Sequence, residues 1–324
     1  MIVTVTLNPA LDLTYTVDAL VPHGTHRVSA VAERPGGKGL NVAGVLAQLG
    51  EPVVATGLLG GSTGARISDL LAGHGITAAF VPIAGETRRT VAVADGDDAT
   101  GFWEPGPLVS AHEWTAFLDR FRALVGAGDV VALSGSLPPG VPADGYATLI
   151  RLAADAGAQT VLDTSGEALR HGLAARPDLA KPNAAELAEL FPAEPAEPAE
   201  PAEPRAAGVA GAAGAAGASA AAAAGVLACG ARAVVVSRGP LGLLASDAGG
   251  VWEAAPPERL AGNPTGAGDA CVAALARGLR DRTPWPELLA DAVALSAAAV
   301  AAPVAGSVDL DTYHRLLRAL PPRT

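Results

Sequence analysis

Val130-Val131-Ala132-Leu133-Ser134-Gly135-Ser136-Leu137-Pro138-Pro139-Gly140 opens the stretch whose reading decides the fold. An apolar run too short for a helix ends in small residues and a double proline. A helical pattern follows over 146–156, and then a second short run, Thr160-Val161-Leu162-Asp163. Strand, helix and strand in that order read as a parallel βαβ unit. Strands of such a unit are covered on both faces, so they appear as continuous apolar runs rather than as alternation.

The same pattern extends in both directions. Further strand candidates lie at 2–7, 53–58 and 233–237, and helical stretches at 39–49, 65–73, 113–125 and, after the last strand, 267–280. This predicts an α/β fold with a mostly parallel central sheet and helices on both faces; the length suits two domains or one large one over 1–324. Two segments interrupt the alternation: 14–31 and 87–102 are extended and half-polar, as an antiparallel flap beside the sheet would be. Residues 193–204 are tandem Ala-Glu-Pro units, followed by an Ala/Gly tract to 225. Proline at every third position forbids a helix, so 193–225 is expected to be a low-complexity surface insertion.

Composition excludes several classes of function. With 50% hydrophobic and 17% charged residues the chain carries enough apolar material for a substantial core. Aromatics are only 4% and the net charge is −11, which argues against nucleic acid as a partner. Two cysteines cannot build a disulfide scaffold. No basic-then-apolar leader opens the sequence, and glycine keeps the Ala-rich tract too weakly apolar to cross a bilayer. A cytoplasmic protein without a membrane partner is expected. Of the 22 basic residues only Lys38 and Lys181 are lysine, so these two positions ask for a compact ammonium rather than a guanidinium fork.

The chemistry-bearing motifs are glycine-rich. Asn263-Pro264-Thr265-Gly266-Ala267-Gly268-Asp269 precedes an apolar helical pattern, so the N–H groups of Gly266, Ala267 and Gly268 converge at a helix start and form an anion site. Asp269 beside them reads either as a first-turn cap or as a base that takes a proton while the N–H groups hold a transferring phosphoryl. Pro35-Gly36-Gly37-Lys38-Gly39-Leu40-Asn41 also leads into a helix. It fails as a Walker loop, because Ala32 stands where the first glycine belongs and Gly39 where Ser or Thr belongs. The glycines at 57–64 miss dinucleotide spacing, which removes support for an oxidoreductase. The six histidines show no metal-ligand spacing.

Together with Leu7-Asn8-Pro9-Ala10-Leu11-Asp12, Glu86-Thr87-Arg88, Lys181-Pro182-Asn183-Ala184-Ala185-Glu186 and Ser237-Arg238-Gly239-Pro240-Leu241-Gly242, these motifs stand in one order along nearly the whole chain. In that order they closely resemble PfkB-type sugar kinases, in the branch of 1-phosphofructokinase, tagatose-6-phosphate kinase and the minor 6-phosphofructokinase. The resemblance implies a ribokinase-like three-layer α/β/α fold with a small β-lid drawn from about 14–35 and 87–102. It also implies a homodimer joined through the lid.

The roles it implies are specific. Asp269 would be the base, with Gly266, Ala267 and Gly268 as the anion hole. Asp12, Gly37, Lys38, Asn41 and Ser134 would hold the sugar, and Arg88 with Arg27 the phosphate already on it. Lys181, Asn183, Ser237, Gly239 and Gly242 would contact ATP. Glu186, Asn183 and Asp163 would organise hydrated Mg²⁺, mostly through water. The implied reaction is ATP-dependent phosphorylation of a ketohexose phosphate, with fructose 1-phosphate as the expected acceptor. Tagatose 6-phosphate and fructose 6-phosphate are its rivals. A non-catalytic sugar-phosphate sensor is disfavoured by the joint presence of Asp269 and Glu186.

Overall fold

A computed structural model of the chain describes residues 1–96, 98–191, 210–302 and 304–320. In chain order the described elements begin with β1 (Ile2–Thr6), β2 (Ala10–Thr16), β3 (Ala30–Gly36), α1 (Lys38–Gln48), β4 (Val53–Gly60), α2 (Gly61–Gly73), β5 (Thr77–Ala78), β6 (Val81–Ile83), β7 (Arg88–Ala94) and β8 (Ala99–Trp103). There follow α3 (Ala111–Leu124), β9 (Val130–Ser134), α4 (Gly145–Asp155), β10 (Gln159–Asp163), α5 (Gly166–Ala174), β11 (Leu179–Ala180), α6 (Ala184–Leu190) and α7 (Ala210–Ala228). The last are β12 (Ala233–Ser237), a 3₁₀ turn at Gly239–Leu241, β13 (Leu243–Asp247), β14 (Gly250–Ala254), α8 (Ala267–Asp281), α9 (Trp285–Ala301) and α10 (Leu310–Ala319).

The large sheet runs β14-β13-β12-β11-β10-β9-β1-β4-β5, with β6 pairing on β4. Its pairs are parallel except for the antiparallel β12-β13-β14 meander at one edge. The opening motif forms the expected unit: β9 and β10 pair in parallel, with Val161 opposite Ala132 and Asp163 opposite Ser134. One face of the sheet, with Ile2, Ala55, Val130, Ala132, Val161 and Val235, packs on α1, α8, α9 and α10. The other, with Val3, Val5, Val131, Leu133, Leu162 and Val234, packs on α3, α4, α5 and α7. This is the three-layer arrangement that the sequence predicts.

Helix α8 is buried nearly all round, from Ala270 to Ala276. Its small residues let it lie deep between the sheet and α9, as an all-apolar helix must. A second sheet, β3-β2-β7-β8, stands beside the body. Only β7 falls wholly inside the two segments expected to be extended: β2 starts earlier, at Ala10, β3 runs past 31 to Gly36, and β8 ends one residue beyond 102. β2 pairs antiparallel with β3 and parallel with β7.

The Ala-Glu-Pro units at 193–204 lie outside the described residues. The Ala/Gly tract behind them is helical from Ala210 onward, and its end is core: Ala223 and Val226 are fully buried against the sheet. Each glycine in that helix costs about 1 kcal/mol relative to alanine, and the alanines together with burial of this face offset it. Among the described residues no helix is long and apolar enough to cross a membrane.

Candidate active site

Strand alternation builds the site. Along the face that packs on α1 and α8, apolar side chains give way at the carboxyl ends of the strands to Thr6 on β1, Ser134 on β9, Asp163 on β10, Lys181 just beyond β11 and Ser237 on β12. In an open α/β sheet this end is where ligands sit. The register places Leu162 opposite Ala180, so the side chains that follow, Asp163 and Lys181, are neighbours. Their charged atoms meet at 3.2 Å with both groups almost fully buried. Burial by itself would lower the Lys181 ammonium. The negative field, chiefly of Asp163, more than offsets it, and Lys181 titrates above its ordinary value.

Helices α1 and α8 deliver the remaining groups. Gly37, with φ of +104°, turns the chain into α1, and a Cβ at Gly39 would come within 2.4 Å of Thr6 Oγ1. The helix start is therefore pressed onto the end of β1. Lys38 then reaches Asp163 at 3.3 Å and Glu186 at 3.8 Å. One turn on, Asn41 donates to Asp269 Oδ2 at 2.8 Å.

Asp269 does not cap its helix: Gly266, in a left-handed conformation, stands at the N-cap position before α8, which has no side-chain cap. Burial pushes the Asp269 carboxyl up to about 7, and the nearby Asp163 charge adds to this. The Asn41 hydrogen bond and the ammonium groups of Lys38 and Lys181 oppose that rise. A carboxylate poised near neutrality is suited to general base work. The helix start offers a slightly different set of N–H groups from the expected one. Ala267 donates to Pro264 O at 3.2 Å, whereas Gly266, Gly268 and Asp269 keep N–H groups without a described partner. The Lys181 ammonium lies beside Gly268.

At the start of α6, Asn183 and Glu186 bind each other. The Asn183 side chain accepts from Glu186 N at 2.9 Å and Glu186 Oε2 accepts from Asn183 N at 2.8 Å, a capping box at the start of α6. Asn183 is thereby fixed as a cap, and Glu186 Oε1 is left to face Lys38. Ser237 donates its N–H to Pro182 O, which ties β12 to the α6 loop. Gly239 (φ +57°) and Gly242 (φ +83°) shape the following turn, and a Cβ on Gly242 would lie 2.1 Å from Ala254 O. Among the described residues no group of three or more His, Cys, Asp or Glu side chains is placed to hold a metal ion. The donors present, Glu186 and Asp163, whose buried Oδ2 is met by the Lys38 ammonium at 3.3 Å, suit a cation that keeps its waters.

On the lid, Glu86 accepts from the backbone N–H groups of Ser62 and Thr63 at the start of α2, which holds its carboxyl down at about 2. Thr87 exchanges hydrogen bonds with Gly60. These two anchors fix the start of β7, where Arg88 donates twice to Asn8 O at 3.2 Å. Its neighbour Arg89 points to the opposite face and pairs with Glu104 at 3.3 Å. Asp12 sits over Gly36, where a Cβ would fall about 2 Å from its carboxylate. Burial pushes the Asp12 carboxyl up.

The structure thus brings together Gly37, Lys38, Asn41, Asp163, Lys181, Glu186, Gly268 and Asp269, and it places Asp12 on the lid over Gly36. It leaves Arg27 exposed in the β2–β3 connection, without a described partner. Ser134 is fully buried on β9, while Ser136 beyond it accepts from the Asn8 amide at 3.1 Å. Sequence reasoning did not single out Ser136, Asn8 or Arg34. Arg34 faces Asp12 across β2 and β3, a pairing that only the register reveals.

Comparison with known proteins follows the same lines. The family model described as pfkB family carbohydrate kinase matches residues 5–312. Phosphofructokinase-2 from Escherichia coli, solved with fructose-6-phosphate, is 30% identical over 98% of each chain with a TM-score of 0.85. A possible 1-phosphofructokinase from Thermotoga maritima is 26% identical over 98% of this chain and 97% of its own, with a TM-score of 0.78. Arabidopsis thaliana ribokinase complexed with ribose and ATP shares the fold at 20% identity over 98% of each chain, with a TM-score of 0.71.

Proposed function

The chain belongs to the pfkB family of carbohydrate kinases, and from that premise we propose that it transfers the γ-phosphoryl group of ATP to a primary hydroxyl of a ketohexose phosphate, with fructose 1-phosphate as the acceptor. The observation that carries the reading is the placement of Asp269. It is a buried carboxyl held near neutrality, beside unpartnered N–H groups at a helix start and two lysine ammoniums.

In the proposed reaction Asp269 takes the proton of the attacking hydroxyl. The new O–P bond forms as the bond from the γ-phosphorus to the bridging oxygen of ATP breaks, and ADP leaves. The N–H groups of Gly266, Gly268 and Asp269, with Lys181, hold the charge on the transferring group. Asp12 and Asn41 orient the sugar hydroxyls, and Arg88 takes the acceptor's own phosphate, where a guanidinium is suited to bidentate pairing. Ser237, Gly239 and Gly242 line the nucleotide turn. Magnesium bound through water to Glu186 and Asp163 would neutralise the nucleotide phosphates.

Fructose 6-phosphate is a second reading, favoured by the likeness to a phosphofructokinase-2 solved with that sugar. Tagatose 6-phosphate is tested beside it. The site is proposed to work in the cytoplasm, within a homodimer. The edge strands of the lid, β3 and β8, support the dimer, because they expose Val31, Phe102 and Trp103.

An ADP-release assay with MgATP against fructose 1-phosphate, fructose 6-phosphate, tagatose 6-phosphate and the free sugars tests the reading. A kcat/KM for fructose 1-phosphate well above the rest supports it. Preference for a 6-phosphate moves the acceptor and keeps the chemistry. Removal of magnesium with a chelator is expected to abolish turnover.

A further inference from the structure

Arg34 is a cation with a buried donor that no acceptor satisfies. It lies on β3 directly across from Asp12, and β2 in turn places Arg88 one residue pair away on β7, opposite Ala10. Side chains two apart on a strand share a face. Asp12, Arg34, Arg88 and Thr90 therefore stand on one side of the lid sheet, with Gly36 leaving the space that the Asp12 carboxylate fills. Arg89 and Glu33 are on the other side, and each has an ion-pair partner there, Glu104 and Arg66.

The polar face holds two guanidiniums and one carboxylate. Among the described residues neither guanidinium forms an ion pair within 4.0 Å. Arg88 commits Nε and Nη2 to the Asn8 carbonyl. Arg34 Nη1 is buried and has no hydrogen-bond partner. A buried charged donor left unpaired costs more than an ordinary hydrogen bond is worth, so a group that completes it is expected. Asp12 faces both guanidiniums and its charge acts on both, but one carboxylate cannot balance two cations.

We propose that Arg34 grips the phosphate an acceptor sugar already carries, sharing it with Arg88 across Asp12, and thereby sets the preference for phosphorylated over free sugars. A phosphate brings negative charge to a face with an excess positive charge, and the guanidinium fork matches its oxygens. Asp12 between the two arginines is left to accept from sugar hydroxyls. The inference deepens the proposed function and rests on it for the identity of the acceptor as a sugar phosphate.

The test compares the unaltered protein with Arg34→Gln and Arg34→Lys. Arg34→Gln is expected to raise KM for the preferred sugar phosphate 10- to 100-fold, with KM for MgATP unchanged and kcat within about threefold. KM for the matching free sugar should not move, so discrimination between the two falls by the same factor. Arg34→Lys should recover part of it. An equal rise for free and phosphorylated sugar, or no rise, overturns the inference while leaving the kinase reading intact.

If the unaltered protein instead prefers a free sugar, the proposed function fails, and inorganic phosphate as a calorimetric probe decides the role of Arg34 separately. Weaker phosphate binding in Arg34→Gln than in the unaltered protein, with partial recovery in Arg34→Lys, upholds the anion grip. Equal binding in all three rejects it. Thermal unfolding of each variant shows that the lid change has not cost the fold.

Discussion

At the scale of single residues, the account turns on Asp269 and the group that steadies it. Asp269→Asn removes the proton acceptor and keeps the size and the Asn41 contact in altered form. It is expected to fold with an unchanged circular dichroism spectrum and to lose about 10²- to 10⁴-fold in kcat. The pH dependence follows from the same side chain. Its carboxyl titrates at about 7, and the reactive form is the carboxylate, so kcat/KM should rise with pH through a midpoint near that value. Asn41 donates to the carboxylate and so favours its charged form. Asn41→Ala removes that stabilisation, and the midpoint is expected to move to higher pH, a shift that a loss of sugar affinity alone would not produce. A pH–rate profile of the two proteins checks the sign.

At the scale of elements, strand ends and helix starts carry the polar groups, and their anchoring can be tested one at a time. Lys181 is the deepest partner of Asp163, while Lys38 is substantially exposed. Lys181→Met leaves Asp163 buried with that single half-open partner. It should cost about 3–5 kcal/mol of unfolding free energy in a denaturant titration, as well as raising KM for MgATP. On the lid, Gly36→Ala inserts a methyl group about 2 Å from the Asp12 carboxylate. KM for the sugar phosphate should rise at least tenfold, with KM for MgATP unchanged. If both constants move together, Asp12 is not confined to the sugar.

The same scale shows how much could be read from the sequence. Strands such as β1, β9 and β10 were legible because buried parallel strands are uninterrupted β-branched runs. α1 and α8 were legible because glycine turns lead straight into apolar periodicity. The lid strands could be located but not registered. The β2–β3 connection has no short turn signature to fix which residues face each other, so the Asp12–Arg34 pairing was hidden. For the same reason the sequence reading names Arg27 beside Arg88 for the acceptor's phosphate and passes over Arg34. The end of α7 was taken for insertion because its alanines and glycines show no polar face, and only the packing of Ala223 and Val226 reveals it as core.

At the scale of the whole molecule, the two sheets divide the work. The large sheet supplies the fixed end where Asp163, Lys181 and Asp269 meet, and the lid carries Asp12, Arg34 and Arg88 on one face. The lid has open edges, with Phe102 and Trp103 exposed on β8 and Val31 on β3. Phe102→Asp should shift sedimentation from dimer to monomer if the lid joins two copies, and should have no effect if it does not. The central claim, a kinase acting on a ketohexose phosphate through Asp269, is tested most directly by the ADP-release assay on the acceptor panel with Asp269→Asn alongside. The account predicts MgATP-dependent turnover with fructose 1-phosphate in clear preference to the other acceptors, and its loss in the variant. Comparable turnover in Asp269→Asn, or preference for a sugar without phosphate, would contradict it.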